Sequence, residues 1–257
     1  MVIRNEELLR TLAPAVFTST PEEGRVSERY AFLPTTDIIE ILQDEGWTAW
    51  KAHQVRPRTW SQLHAKHIVR LRHEDLNVAD FGVGDSFPEM LLINAHNGSG
   101  GYTLQGGIFR MVCSNGMVIS EADFGKIRIR HIGFKPEQVK EASRRLVRNS
   151  SRISDKIGHW KGIEMSPHSR ANFFADAASL RFDAPDIRTR RAIATPRRVE
   201  DRKTDLWTTF NVAQENVLRG GFRNGARRTV RAISNIQKDV ELNSKLWDLA
   251  SAYSRGL

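Results

Sequence analysis

At Pro136 the apolar residues of this chain change their spacing, from every second position to every third or fourth. A period of two lines one face of a strand, and a period near three and a half lines one side of a helix. A chain that carries the two patterns in separate blocks is expected to be α+β, an antiparallel β-meander with packed helices followed by a helical region. The blocks are read as residues 1–134, β-rich with two short helices, and residues 135–257, helical and basic, joined in one integrated domain.

Within the first block, Asn5 precedes Leu8, Leu9 and Leu12 and predicts a capped helix that stops near Pro14. Pro21 to Gly24 reads as a turn and Arg25 to Leu33 as a strand. A short helix then runs from Thr36 through Ile38, Ile39, Ile41 and Leu42, with Gly46 placed to end it. Trp47 to Arg56 and Leu63 to His73 read as strands. Met90 to His96 and Tyr102 to Cys113 flank Asn97-Gly98-Ser99-Gly100-Gly101, a hairpin loop rich in residues that tolerate positive φ. Asn115-Gly116 marks a second tight turn before Met117 to Ser120, and Lys126 to Ile132 reads as the last strand.

In the second block Val139, Leu146, Ile153 and Trp160 recur every seven residues and predict one long amphipathic helix. Pro167 suits the first turn of the next, whose stripe is Phe173, Ala177 and Leu180. Asp186 to Lys203 reads as a basic connection. Asp205 caps a helix through Leu206, Phe210, Ala213 and Val217 that Gly220-Gly221 ends, and a last helix is expected from about Thr229 to Tyr253.

Charge follows the same division. Residues 1–125 hold 11 Lys/Arg against 16 Asp/Glu, and residues 126–257 hold 28 against 14. So lopsided a field points to a polyanionic partner, with nucleic acid the commonest, because each neutralised phosphate releases a condensed counterion. Alternation places Lys126, Arg128 and Arg130 on one face of a strand, and Lys66, Arg70 and Arg72 on one face of another. The densest cations are Arg190, Arg191, Arg197 and Arg198, followed by Arg227 and Arg228. Arginine outnumbers lysine there, which favours bidentate phosphate contacts. Trp207 and Phe222 lie close by as candidate stacking rings, although core packing is the commoner use of such residues.

Other chemistry is weakly represented. The lone cysteine, Cys113, forms no intrachain disulfide, suits a reducing compartment and reads as a buried structural thiol. His64 and His67 have odd spacing, which sends them to opposite faces of a strand and away from joint metal binding. Asp80, Asp85 and Glu89 could serve a metal-dependent nuclease, yet they lack the spacing of a calcium loop. The glycines around Gly98 to Gly107 are followed by no Gly-Lys-Ser/Thr, so no nucleotide loop is expected, and neither is a cofactor or metal. No run of apolar residues reaches a membrane span, and Met1 to Thr20 carries Glu6 and Glu7 where a secretory leader would be basic. A soluble protein of the bacterial cytoplasm is expected.

Two stretches carry a resemblance. Phe109-Arg110-Met111-Val112-Cys113-Ser114-Asn115-Gly116-Met117, and Asp205-Leu206-Trp207-Thr208-Thr209-Phe210-Asn211-Val212-Ala213-Gln214-Glu215-Asn216 with Arg219-Gly220-Gly221, resemble the phage- and plasmid-encoded domain-of-unknown-function family number nine-three-two. The likeness extends to Asn94-Ala95-His96 and the Asp239 to Trp247 helix. It implies an accessory protein of mobile DNA and no particular chemistry. The layout is also similar to that of phage single-strand annealing proteins, which bind DNA as rings or filaments, although fold alone does not fix function. The expected function is therefore non-catalytic binding of single-stranded DNA by a homo-oligomer, with annealing as a further step. The alternatives are an anti-defence protein that binds a host protein, and the nuclease. In the second motif Thr208, Asn211, Gln214 and Glu215 share one helical face opposite Leu206, Phe210, Ala213 and Val217, and are expected to tie the helix to the sheet, ahead of capping a neighbouring subunit or lining a DNA groove.

Overall fold

The computed structural model describes residues 5–24, 26, 30–56, 61–76, 86–98, 102–110, 116–118, 126–129 and 134–256. The fold class is α+β, as the change of period at Pro136 indicates. The chain divides into two compact units, Met1–Ile108 with Glu121–Ser151, and Phe109–Ser120 with Arg152–Leu257.

The first unit is built on strands β1 (Trp47–Gln54), β2 (His67–His73), β3 (Ser86–Asn94), β4 (Tyr102–Arg110) and β6 (Lys126–Ile129). β5 (Gly116–Val118) belongs to the second unit. β1 runs antiparallel to β2 with Ala52 opposite Val69, β2 antiparallel to β3 with Val69 opposite Leu92, and β4 antiparallel to β6 with Leu104 opposite Ile127. β2 alternates as a half-covered strand should: His67, Val69 and Leu71 are buried, whereas Ile68, Arg70 and Arg72 are half-buried.

Helix α1 (Glu6–Leu12) and helix α2 (Thr35–Asp44) pack on β1, α2 through Ile38, Ile39 and Leu42. Gly46 follows α2 at φ 87°, the left-handed turn that glycine tolerates best. Asn5 does precede α1, but its side chain caps nothing there. Its amide instead donates to the Ala49 carbonyl at 2.7 Å and ties the helix to β1. The strand expected over Arg25 to Leu33 is not formed at Tyr30–Leu33, and Arg25 and residues 27–29 lie outside the described residues. One reason is that the Leu33 carbonyl accepts the Tyr102 hydroxyl rather than a ladder amide.

A buried polar knot closes one end of this sheet. The Thr35 hydroxyl lies 2.9 Å from His67 Nε2, 3.1 Å from His96 Nε2 and 3.0 Å from the Asn94 amide nitrogen. His67 Nδ1 lies 2.9 Å from the Ala65 carbonyl, which can only accept, so the proton sits on Nδ1. Thr35 then donates to His67 Nε2, while His96 and Asn94 donate to Thr35. Burial holds the His67 imidazole neutral, with its pKa pushed from 6.5 down to about 4.

Helix α3 (Pro136–Gly162) contributes residues to both units, and its heptad positions Val139, Leu146, Ile153 and Trp160 are all buried. In the first unit, Trp47 Nε1 donates to Ser143 Oγ of α3 at 2.7 Å. The second unit adds α4 (Pro167–Ser179), α5 (Ile187–Ile193), α6 (Leu206–Arg219) and α7 (Ile236–Gly256). Its core is aromatic: Trp160 stands 4.5 Å from Trp247 and 5.8 Å from Phe210, and Phe210 stacks on Trp207 at 5.7 Å.

Several boundaries differ from the sequence reading: Gln62–His64, at the expected start of a strand, form a 3-10 turn and β2 begins at His67, and β3 spans Ser86–Asn94 rather than Met90 to His96. Asp186 to Lys203 is more than a connection, since it contains α5 and the 3-10 turn Glu200–Arg202. The last helix starts at Ile236 and not near Thr229. The Gly221 amide donates to the Val230 carbonyl at 2.8 Å and the Val230 amide to the Phe222 carbonyl at 2.8 Å, which folds residues 221–230 into a hairpin. Gly220 lets the chain enter it at φ 59°.

Protonating His67 must break its acceptance of the Thr35 proton. Its folded pKa lies below the unfolded one, so the unfolded chain binds the proton first and stability falls as pH drops from 6.5 towards 4. Urea unfolding at pH 7.5 and pH 5 should differ by about 2 kcal/mol on this account, and His67→Gln should flatten that difference.

Candidate nucleic-acid interface

α5 begins at Asp186, whose Oδ1 accepts the Thr189 amide at 2.9 Å. The second oxygen of the same carboxylate accepts the Gly225 amide at 2.8 Å, from the turn of the 221–230 hairpin. One side chain thereby clasps two arginine-bearing segments that are 39 positions apart in sequence. Amide donation, first from Thr189 and also from Gly225, holds this carboxyl below the usual carboxylate range. Gly225 is required for so close an approach, because a Cβ there would stand 2.0 Å from Asp186 Oδ2.

On either side of the clasp, Arg188, Arg190 and Arg191 of α5 and Arg223, Arg227 and Arg228 of the hairpin are exposed. Arg190 is steadied by donation from Nε to the Pro185 carbonyl at 2.9 Å. Arg227 adopts φ 57°, in the turn where its amide donates to the Asn224 carbonyl. The clasp thus joins the helix that carries Arg190 and Arg191 to the hairpin that carries Arg227 and Arg228. The sequence signal for the clasp was present, since Asp186 followed three residues later by Thr189 is an N-cap pattern, but the partner Gly225 has no local signature.

Arg197 and Arg198 are instead tied to acceptors of the second unit, Arg198 half-buried and Arg197 still exposed. Arg197 donates from Nε to Asn216 Oδ1 at 2.7 Å and from Nη2 to the Gly220 carbonyl. Arg198 donates to Asp201 at 3.0 Å and to Glu215 at 2.6 Å, and Arg219 reaches the same Glu215 oxygen at 2.9 Å. Glu215 is 2% exposed. The polar side of α6 is therefore as buried as its apolar side, from Leu206 to Leu218. Gln214 donates to Asn243 of α7 at 2.9 Å, and Asn216 to the Ile193 and Thr195 carbonyls at 3.0 and 2.9 Å. These bonds tie α6 to neighbours in its own unit, where the expectation had named the sheet.

The rings proposed for stacking sit in packing positions. Trp207 is 4% exposed within the aromatic core, and Phe222 packs edge-on to Phe182 with centroids 6.2 Å apart. On the sheet, Lys66 is half-buried, and burial lowers its ammonium pKa. Arg70 and Arg72 share the face expected of them and both donate to Glu89, at 2.6 and 2.8 Å. Of the acidic group considered for a nuclease, Glu89 is thus engaged by two arginines, and Asp80 and Asp85 lie outside the described residues. The side chains of Lys126 and Arg128 are likewise outside the description, as are Arg130 and Cys113. Among the described residues no group of three or more His, Cys, Asp or Glu gathers to hold a metal, and no helix is long and apolar enough to cross a membrane.

Comparison with known proteins gives kinship. The pattern of a family described as Domain of unknown function (DUF932) matches residues 23–247. The chain is similar to UPF0380 protein YafZ of Escherichia coli strain K12, 36% identical over 257 residues, covering 97% of this chain and 91% of that protein. It is equally similar to UPF0380 protein YfjQ of the same organism, 36% identical over 255 residues, covering 96% and 90%. No solved structure matches it.

Glu215 is the acceptor that keeps two guanidinium groups in the second unit. Glu215→Ala should cost about 2 kcal/mol in a urea melt, because it takes one carboxylate from the largely buried Arg198, which keeps Asp201, and from Arg219. Substituting the exposed Arg191 should change the same melt by less than about 0.5 kcal/mol.

Proposed function

The chain belongs to the DUF932 family, a kinship that brings no activity with it, and we propose that it is a non-catalytic nucleic-acid-binding protein of mobile DNA. The surface assigned to the phosphate backbone is the α5 face together with the 221–230 hairpin. The observation that carries the reading is the Asp186 clasp, which assembles arginines from two distant segments before any ligand arrives. Preassembly matters energetically, since cations already held in place lose little conformational freedom on binding. Guanidinium groups at such a surface suit phosphate oxygens in bidentate geometry.

Single-stranded DNA is the preferred partner in this reading, and annealing by an oligomer is its furthest extension. The excess of 28 Lys/Arg over 14 Asp/Glu in residues 126–257 supports attraction to any polyanion. Binding to a host protein remains the competing function, and nuclease treatment during co-purification separates them, because a nucleic-acid partner is lost and a protein partner stays.

Two sets of variants test the surface. Replacing Arg190, Arg191, Arg227 and Arg228 with serine should weaken binding to labelled DNA and lower the slope of log affinity against log salt by about 3. An unchanged slope would refute the assignment. Gly225→Ala should push the Asp186 carboxylate off the hairpin and weaken binding while all four arginines remain. Its thermal melt should stay cooperative and close to that of the parent, because the displaced group is the end of an exposed side chain.

A further inference from the structure

Trp50 stands where β1 is irregular. The register with β2 shifts between Ala49 and Lys51, so Trp50 is the extra residue of a bulge, a device that re-aims a side chain. The half-buried indole is thereby set against two guanidinium groups. Arg72 Cζ lies 3.7 Å from a ring centroid of Trp50, Arg70 Cζ 4.6 Å, and Lys51 Nζ 5.9 Å. Both arginines are anchored from behind by Glu89, whose side chain is wholly buried and spends one oxygen on each Nε. The carboxylate fixes the guanidinium planes, and 36% of the Arg72 side chain remains exposed.

Basic groups crowd this place. Among the described residues Lys51, Arg70 and Arg72 gather beside the Glu89 carboxylate, and His53 and Arg56 continue the row along β1 and its end. The crowding is felt electrostatically. Burial, and then the Arg70 charge, hold the Lys51 ammonium below its ordinary pKa against the opposing pull of Glu89. Burial, and then Arg56 and Lys51, depress the His53 imidazole. Like charges kept this close on one face of a sheet favour an added anion.

We propose that Trp50, Arg70, Arg72 and Lys51 form a nucleotide-stacking site for single-stranded nucleic acid, with a base stacked on the Arg72–Trp50 pair and its phosphate beside Lys51. An indole layered with arginine offers a π-face to any base, and the neighbouring cations track the backbone. Bases of a duplex are already stacked on one another and cannot use such a site. The inference rests on the nucleic-acid reading above and deepens it, because it names the strand type and supplies the stacking ring that Trp207 and Phe222 do not. The cations Arg70 and Arg72 keep the role expected of them on this sheet face, now as part of a stack rather than as a bare charged row.

The test uses the full chain and two labelled strands of about 20 nucleotides, one of thymidine and one abasic with the same phosphates. Trp50→Leu keeps an apolar, though smaller, side chain and removes the π-face. It should weaken binding of the thymidine strand about 10-fold and leave the abasic strand unchanged, while Trp50→Phe restores most of the affinity. Equal binding of the thymidine strand by Trp50→Leu and the parent overturns the proposal, as does an equal loss on both strands. Failure of the parent chain to bind either strand overturns the wider nucleic-acid reading as well. Photocrosslinking of the unaltered protein to a bromouridine strand gives a check that needs no variant to fold. A crosslink at Trp50 supports the site, and crosslinks confined to other peptides overturn it.

Discussion

Each compact unit contains a buried glutamate that grips two arginines. Glu89 holds Arg70 and Arg72 on the sheet of the first unit, and Glu215 holds Arg198 and Arg219 among the helices of the second. A carboxylate in an apolar surround is tolerable only when its oxygens are satisfied by strong donors, and guanidinium groups are the strongest available. The consequence reaches beyond the pair. In the first unit the anchored arginines build a layer on Trp50, and in the second they brace α6, a helix whose every side from Leu206 to Leu218 is buried.

This constraint sorts the basic residues into two populations. Arginines opposite a buried acceptor serve the fold, as Arg197 and Arg198 do through Asn216, the Gly220 carbonyl, Asp201 and Glu215. Arginines on α5 and the hairpin face solvent, and the acid in their midst, Asp186, has its oxygens turned to backbone amides. A carboxylate occupied by amides neutralises the neighbouring cations less than one paired with them would. Arg188, Arg190, Arg191, Arg223, Arg227 and Arg228 stay exposed on the two segments that Asp186 joins.

The neutral histidine knot of the first unit obeys the same logic without charge. Thr35, His67, Asn94 and His96 are each at most 1% exposed, and their donors and acceptors are directed by the Ala65 carbonyl through the tautomer of His67. A directed network of this kind rigidifies the sheet end as long as every proton keeps its place. It also explains why the His64 and His67 spacing was uninformative, since His67 finds its ring partner in His96, 5.2 Å away and 29 positions later in the chain.

How much was legible in the residues themselves follows from the range of each interaction. The period change at Pro136, the heptad of α3, the Ser166–Pro167 helix start and the Asp205 cap are local patterns, and the expected helices stand where those patterns place them. The count of arginines was equally plain, but not their direction. Whether a guanidinium faces inward depends on an acceptor such as Glu215 or Gly220, roughly 20 positions away in the chain, and no spacing rule links the two. The hairpin that shortened the last helix and the bulge at Trp50 are likewise products of pairing with other backbone segments. Composition and periodicity alone determined the class of fold and the excess of basic residues in the second half. Tertiary structure decided which of those cations are tied to buried acceptors, because burying a charge is settled by what surrounds it and not by what precedes it in the chain.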